Sequence, residues 1–394
     1  MITIALITLL TQSPTIDSIE LVESFPIETT LDNADIRDAD VVWREVIDAT
    51  KTSVDLAEFY ASDSAGSKLT PVIEAIERAA GRGVQVRFLA EKKFQITYPE
   101  VLERLAKSKN VAVRTYDIKP LTGGILHAKY FLVDGSVAYM GSQNFDWRSL
   151  AHIQELGVLV RSTQVTAAWQ CVYETDWALA GGATIADAMK LYNGLAFPLQ
   201  IGSGDTAARI TPVVSPAPLL PSVDSWDLPK ITALIEGAKK SVRVQLLTYK
   251  MTSNSDYFPD LENALRRAAA RGIKVELLVA DWCMRKGTIE GLQALEPLAN
   301  VEVKLVTIPQ WSQGHVPYGR VAHSKYLVVD AERAWIGTSN WERDYFFQSR
   351  NVGLIVDGGD VPKRLDAYFT AGWTSSYAKP VDPCATYTAP KFGD

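Results

Sequence analysis

Long apolar runs are missing from this chain: no stretch of 18 apolar residues occurs, so no helix read from it can span a bilayer. Cysteine is scarce. Cys171, Cys283 and Cys384 are too few for a disulfide framework, and no C-x-x-C pair suggests zinc. An excess of positive charge is also absent, since 40 Lys and Arg face 46 Asp and Glu for a net charge of −6. That balance argues against a broadly basic nucleic-acid binder and leaves room for a local basic pocket. With 47% hydrophobic and 22% charged residues, the composition excludes disordered and collagen-like chains. The apolar run Ile2 to Leu10 has no Lys or Arg before it and no small-x-small cleavage site after it. It reads either as an export signal, placing the protein in a secreted, periplasmic or lumenal setting, or as a plain apolar strand of a cytoplasmic one.

What is present is a tandem repeat, in a chain of 394 residues long enough for two halves sharing a core. Ser53-Val-Asp-Leu-Ala-Glu-Phe-Tyr returns as Ser241-Val-Arg-Val-Gln-Leu-Leu-Thr, and Gly83-Val-Gln-Val-Arg-Phe-Leu as Gly272-Ile-Lys-Val-Glu-Leu-Leu. HAKYFLVDGSVAYMGSQNF from His127 returns as HSKYLVVDAERAWIGTSNW from His323, and each copy ends near a tryptophan, Trp177 and Trp373. Each half reads as strand, helix, strand and then a strand pair. Thr70-Pro71 opens a helix that Gly81 and Gly83 stop; Pro259 and Gly272 bound its counterpart. The expected fold class is α/β, two pseudo-repeat halves packed as one sandwich with the active site at their junction. The halves fall at 1–194 and 223–394, joined by a linker over 195–222 whose Pro212, Pro216, Pro218 and Pro221 exclude a long helix.

The chemistry sits in one doubled pattern. His127-x-Lys129-x4-Asp134-x6-Gly141-Ser142-x-Asn144 is matched by His323-x-Lys325-x4-Asp330-x6-Gly337-Thr338-x-Asn340. Six specified positions match by chance with a probability on the order of 10⁻⁸ per start. His and Lys two apart on a strand share a face, so both reach one ligand. The Gly-Ser/Thr-x-Asn end adds a tight turn, a hydroxyl and an amide. Lys129, Lys325, Asn144, Asn340, Ser142 and Thr338 are therefore expected to bind a substrate phosphate. Two such half-sites would place two imidazoles about one phosphorus, one attacking and the other donating a proton to the departing oxygen. Asp134 and Asp330 either support this chemistry or only cap their turns. His152 and His315 lie outside the motifs and read as non-catalytic.

This doubled motif resembles that of the phospholipase D superfamily, over about Ser53 to Trp373. The resemblance implies a ping-pong route through a phosphohistidine, with His127 as nucleophile, His323 as acid and base, no metal and no cofactor. It also implies that Glu155, in QELGVLV, is a carboxylate backing one catalytic imidazole, whereas the second half has Asn351 at that place. The two histidines are then expected to differ in basicity.

FDWRSLAHIQELG, RVAHSKY, GTSNWERDYF and GWTSSYA further resemble the branch holding endolysosomal phospholipase D-like proteins and their poxvirus relatives. Asp146, Trp147, Arg148, Trp341 and Tyr345 carry that likeness. It implies a 5′-to-3′ exonuclease on single-stranded DNA or RNA, and alignment with the branch pairs Cys283 with Cys384 and leaves Cys171 free. Tyr60, Tyr116, Tyr249, Trp282, Trp311, Tyr318 and Trp341 are the candidates for stacking bases. The alternative is a phospholipase D or phosphatidyl transferase, which needs apolar loops at a lipid surface. Its candidate loops, Glu91 to Pro99 and Trp282 to Thr288, are mixed and basic. A homodimer stays open as a further partner.

Overall fold

The computed structural model describes residues 17–191, 196–253 and 256–393, so the apolar run Ile2 to Leu10 lies outside them. Val72, Ile73, Ala75, Ile76, Ala79 and Ala80 recur on one face of the helix Thr70–Gly81, and all are buried. Pro71 occupies its first turn, where no amide donor is needed, and Gly83 takes φ +98° just beyond its end. The counterpart, Asp260–Ala270, ends the same way before Gly272 at φ +84°.

Two sheets of the same plan result. In the first, the strands run Ser18–Ser24, Ile153–Arg161, Val137–Gly141, Tyr130–Val133, Ser53–Glu58, Gln85–Glu91 and Val111–Tyr116. In the second, Ala208–Ser215, Asn351–Gly358, Arg333–Gly337, Tyr326–Val329, Ser241–Leu246, Lys274–Ala280 and Val301–Val306 repeat that order. One apolar core lies under the helices of each half. A third is built from both halves, with the helices Thr163–Ala180 and Val361–Thr374 contributing Trp169 and Trp373.

The stretch expected to link the halves is partly sheet. Ala208–Ser215 pairs along its whole length with Asn351–Gly358, and it is the second-half equivalent of Ser18–Ser24. Pro212 is tolerated because the neighbour on the other edge, Leu199–Ile201, pairs only with residues 208–210.

The halves join at two matching places. Val321–Ala322 adds to Ile153–Arg161 in parallel, with Ala322 opposite Gln154. Its symmetric partner is the bridge between Leu126 and Arg350. Each contact immediately precedes a motif histidine.

Candidate active site

His127 and Lys129 lead into the strand Tyr130–Val133, and His323 and Lys325 into Tyr326–Val329. The apolar strands anchor in the cores, so the polar residues ahead of them are held at the seam. All four are buried. The His127 amide donates to the Arg350 carbonyl at 2.9 Å, and the His323 amide to the Gln154 carbonyl at 2.8 Å. Each lysine is folded back on its own motif: Lys129 Nζ donates to His127 O at 2.6 Å, and Lys325 Nζ to His323 O at 2.7 Å. That bond fixes each ammonium and leaves its other protons for a ligand.

The imidazoles are braced crosswise. Glu155 of the first half bonds Nδ1 of His323 in the second. Asn351 of the second half faces Nδ1 of His127 in the first at 3.0 Å. The amide of Asn351 cannot be turned round, because its Nδ2 donates to the carbonyls of Tyr345 at 2.9 Å and Ser349 at 3.2 Å. Its Oδ1, which also accepts from the Thr338 hydroxyl at 2.9 Å, is therefore an acceptor. His127 must carry its proton on Nδ1 and present the lone pair of Nε2.

Burial, together with Lys129 and Lys325, pushes both imidazoles well below the usual histidine range. Burial pushes Glu155 up, against Lys325 and the Ser149 hydroxyl, and its carboxyl faces Nδ1 of His323. Only His323 has a carboxyl on its Nδ1, where His127 has the amide oxygen of Asn351. Lys129 is lowered well below its normal value, chiefly by burial and then by Lys325, and Lys325 falls to about 7.

Asn144 and Asn340 are buried, and the Oδ1 of each lacks a partner. Ser142 and Thr338 are fully buried, and their oxygens accept the amides of Leu156 at 3.1 Å and Val352 at 3.2 Å on the neighbouring strands. They tie the turn to the strand carrying Glu155 or Asn351.

Asp134 and Asp330 take the capping alternative. Asp134, at φ +50°, accepts the amides of Lys51, Thr52 and Ser53 at 2.9, 2.7 and 3.0 Å. Asp330, at φ +58°, accepts those of Lys239, Lys240 and Ser241. These bonds hold both carboxyls below the ordinary range despite partial burial. Asp134→Ala is expected to destabilise by about 2 kcal/mol in urea titration, with kcat unchanged well below the transition. Because the folded pKa is depressed, this contribution is complete above the unfolded value near 3.8 and disappears as pH falls through the folded one.

Two further expectations change. Cys283 and Cys384 are free thiols: Cys283 is buried with Sγ donating to Leu247 O at 3.4 Å, and burial lifts its pKa to about 12, while Cys384 lies exposed on the tail. Tyr116, Tyr249 and Trp341 are core residues with at most 1% exposure, so they cannot stack bases. His152 is packed edge-on between Trp147 and Trp311, at 5.4 and 4.9 Å, and burial lowers its pKa to about 4. His315 is exposed, with Nε2 facing Gly393 O at 2.9 Å.

Two residues escaped sequence reasoning. Glu58 is buried, its Oε2 has no hydrogen-bond partner, and burial raises its carboxyl well above the normal range against the charge of Lys129. The signal was a glutamate ending an apolar strand where the repeat has Leu246. Arg350 was the other. Among the described residues no cluster of His, Cys, Asp or Glu could hold a metal ion, and no helix is long and apolar enough to cross a membrane.

Paired histidine–lysine sites, gripped at the seam of two copies of one sheet, define a phosphodiesterase with one active site per chain. The chain belongs to the phospholipase D superfamily: the family described as "Cardiolipin synthase, PLD-like domain" matches residues 43–177 and 231–373. It is close to the branch of the 5'-3' exonucleases PLD3 and PLD4. It is 30% identical over 391 residues to "Phospholipase D Z" of Dictyostelium discoideum, covering 92% of this chain and 91% of that one. To "5'-3' exonuclease PLD3" of Homo sapiens it is 30% identical over 399 residues, covering 93% and 81%. Its fold is that of the phosphatidylserine synthase of Haemophilus influenzae, with a TM-score of 0.62 at 11% identity over 87% and 85% of the two chains.

Proposed function

We propose that this protein is a metal-independent phosphodiesterase that trims single-stranded DNA or RNA from the 5′ end through a phosphohistidine. The observation that carries the mechanism is the unequal bracing of the two rings, an amide oxygen on His127 and a carboxyl on His323. His127, neutral and with Nε2 free, attacks phosphorus. The P–O bond to the departing nucleotide breaks, and the Nε2 proton of His323 passes to that oxygen. A water then attacks phosphorus, gives its proton to His323 and restores His127 as the P–N bond breaks. Lys129, Lys325, Asn144 and Asn340 donate to the phosphoryl oxygens, whose negative charge grows in both transition states. Glu155 stabilises His323 while it is protonated.

The nucleic-acid substrate and its polarity rest on likeness to the PLD3 and PLD4 branch. A relative of equal identity carries a phospholipase name, so lipid belongs in the test. A 3′-labelled, 5′-hydroxyl single-stranded oligonucleotide incubated in excess EDTA at pH 5.5 and 7.5 should shorten progressively from its 5′ end. Intact oligonucleotide, with choline released from phosphatidylcholine vesicles, would overturn the reading.

A further inference from the structure

Four large rings stand outside all three apolar cores. Phe59, Tyr60, Phe94 and Tyr98 are half-buried, and none belongs to a core or packs against one. They touch in sequence, starting at the nucleophile. Phe59 lies 4.9 Å from the His127 ring, Phe94 lies 4.6 Å from Phe59, and Tyr98 is parallel to Phe94 within 17° at 6.3 Å. Tyr60 stacks on Tyr98 at 5.1 Å.

A cation sits over each step: Lys129 over Phe59 at 4.8 Å, Lys93 over Phe94 at 5.8 Å and Arg148 over Tyr98 at 5.6 Å. Flat rings alternating with cations at this spacing match single-stranded nucleic acid, whose bases stack while its phosphates seek positive charge. The surrounding loop is open, with Lys92, Lys93 and Ile96 exposed.

The pseudo-repeat shows how such a feature is filled. In the second half, the loop after the corresponding strand carries Trp282 and Arg285, and the tail residue Phe392 lies on them. Its ring is 4.7 Å from Trp282 and 5.4 Å from the Arg285 guanidinium. There the chain supplies its own flat ring. On the first-half side Phe94 and Tyr98 are half-buried, and Lys92 and Lys93 beside them are exposed.

We propose that Phe59, Phe94 and Tyr98 form a base-stacking track that leads single-stranded nucleic acid to His127, with Lys93 engaging its phosphates. This deepens the nuclease reading and rests on it. Phe94→Leu keeps apolar volume but removes the flat face, and Tyr98→Ala removes a second one. Each should raise KM for an ordinary oligonucleotide about tenfold with kcat little changed. On an oligonucleotide whose 5′-terminal nucleotides are abasic, the wild type should itself show the raised KM, and each variant should lie within about twofold of it. Thermal melting checks that the variants are folded.

Wild-type protein that cleaves neither oligonucleotide would sink the nuclease reading and the track with it. Wild-type cleavage with equal variant penalties on both oligonucleotides would sink the track alone. A third arm uses vesicles of phosphatidylcholine and phosphatidylglycerol. Vesicle binding lost in Ile96→Ser, with Phe94→Leu unchanged on oligonucleotides, would reassign the loop to a lipid surface.

Discussion

His127→Ala should lower kcat on a single-stranded oligonucleotide by about 10⁴-fold or more, leaving only what binding and charge stabilisation achieve without a nucleophile. His323→Ala should be as damaging on that substrate, because an alkoxide leaving group needs a proton. The two variants separate on a nucleoside 4-nitrophenyl phosphate, whose leaving group departs unprotonated. His323→Ala should then release about one equivalent of nitrophenolate per site in a burst and stall. Its mass should increase by the phosphoryl-nucleoside, located on His127. His127→Ala should show neither burst nor adduct. A burst and an adduct on His323 in the His127→Ala protein would reverse the roles.

The pH profile tests the same assignment through the braces. The first step needs His127 neutral and His323 protonated, so the alkaline limb of kcat/KM follows His323. Replacing Glu155 with glutamine removes the carboxyl that meets Nδ1 of that ring, which burial and Lys325 already hold low. The pKa of His323 then falls and the alkaline limb moves to lower pH. An unmoved limb would detach Glu155 from the titration.

Much of the site was legible because its information is local. His127, Lys129 and Asn144 lie within one motif, and a strand's two-residue period already puts histidine and lysine on one face. The order of strand and helix followed from apolar spacing and from Gly83 and Gly272. What stayed hidden depends on how the halves meet. Glu155 was visible as a candidate brace, yet its partner is the histidine 168 positions away. Nothing in either motif's spacing decides that crossing. Pro212 and its neighbours disguised the strand Ala208–Ser215, since a proline at an uncovered sheet edge looks in sequence like a proline in a loop. The expected Cys283–Cys384 pair failed because Cys283 is enclosed in the second core, where its thiol bonds to Leu247 O.

The least legible feature should be the costliest to stability. Arg350 and Asp176 are both 0% exposed, 174 positions apart, and joined by contacts of 2.9 to 3.1 Å. Arg350 also donates to the carbonyls of Ser215 at 2.9 Å and Leu219 at 3.1 Å. Its backbone donates to Ile125 O at 2.9 Å and accepts from the His127 amide at 2.9 Å. It thus ties a helix of the first half, the second sheet and the approach to His127 together, next to the Asn351 that orients the ring. Asp176→Ala leaves a guanidinium buried without its counter-charge and should destabilise by about 3–5 kcal/mol in urea unfolding. Replacing both partners with apolar groups of similar volume, Asp176→Leu with Arg350→Met, should recover most of that stability, because no charge is then left buried. Activity should not recover with it. Without the side-chain bonds of Arg350, its backbone is held less firmly and Asn351 is freer to shift, so kcat should stay reduced by about tenfold or more while KM changes little. A double variant that regained both stability and kcat would make the ion pair a structural link alone, with no part in placing His127.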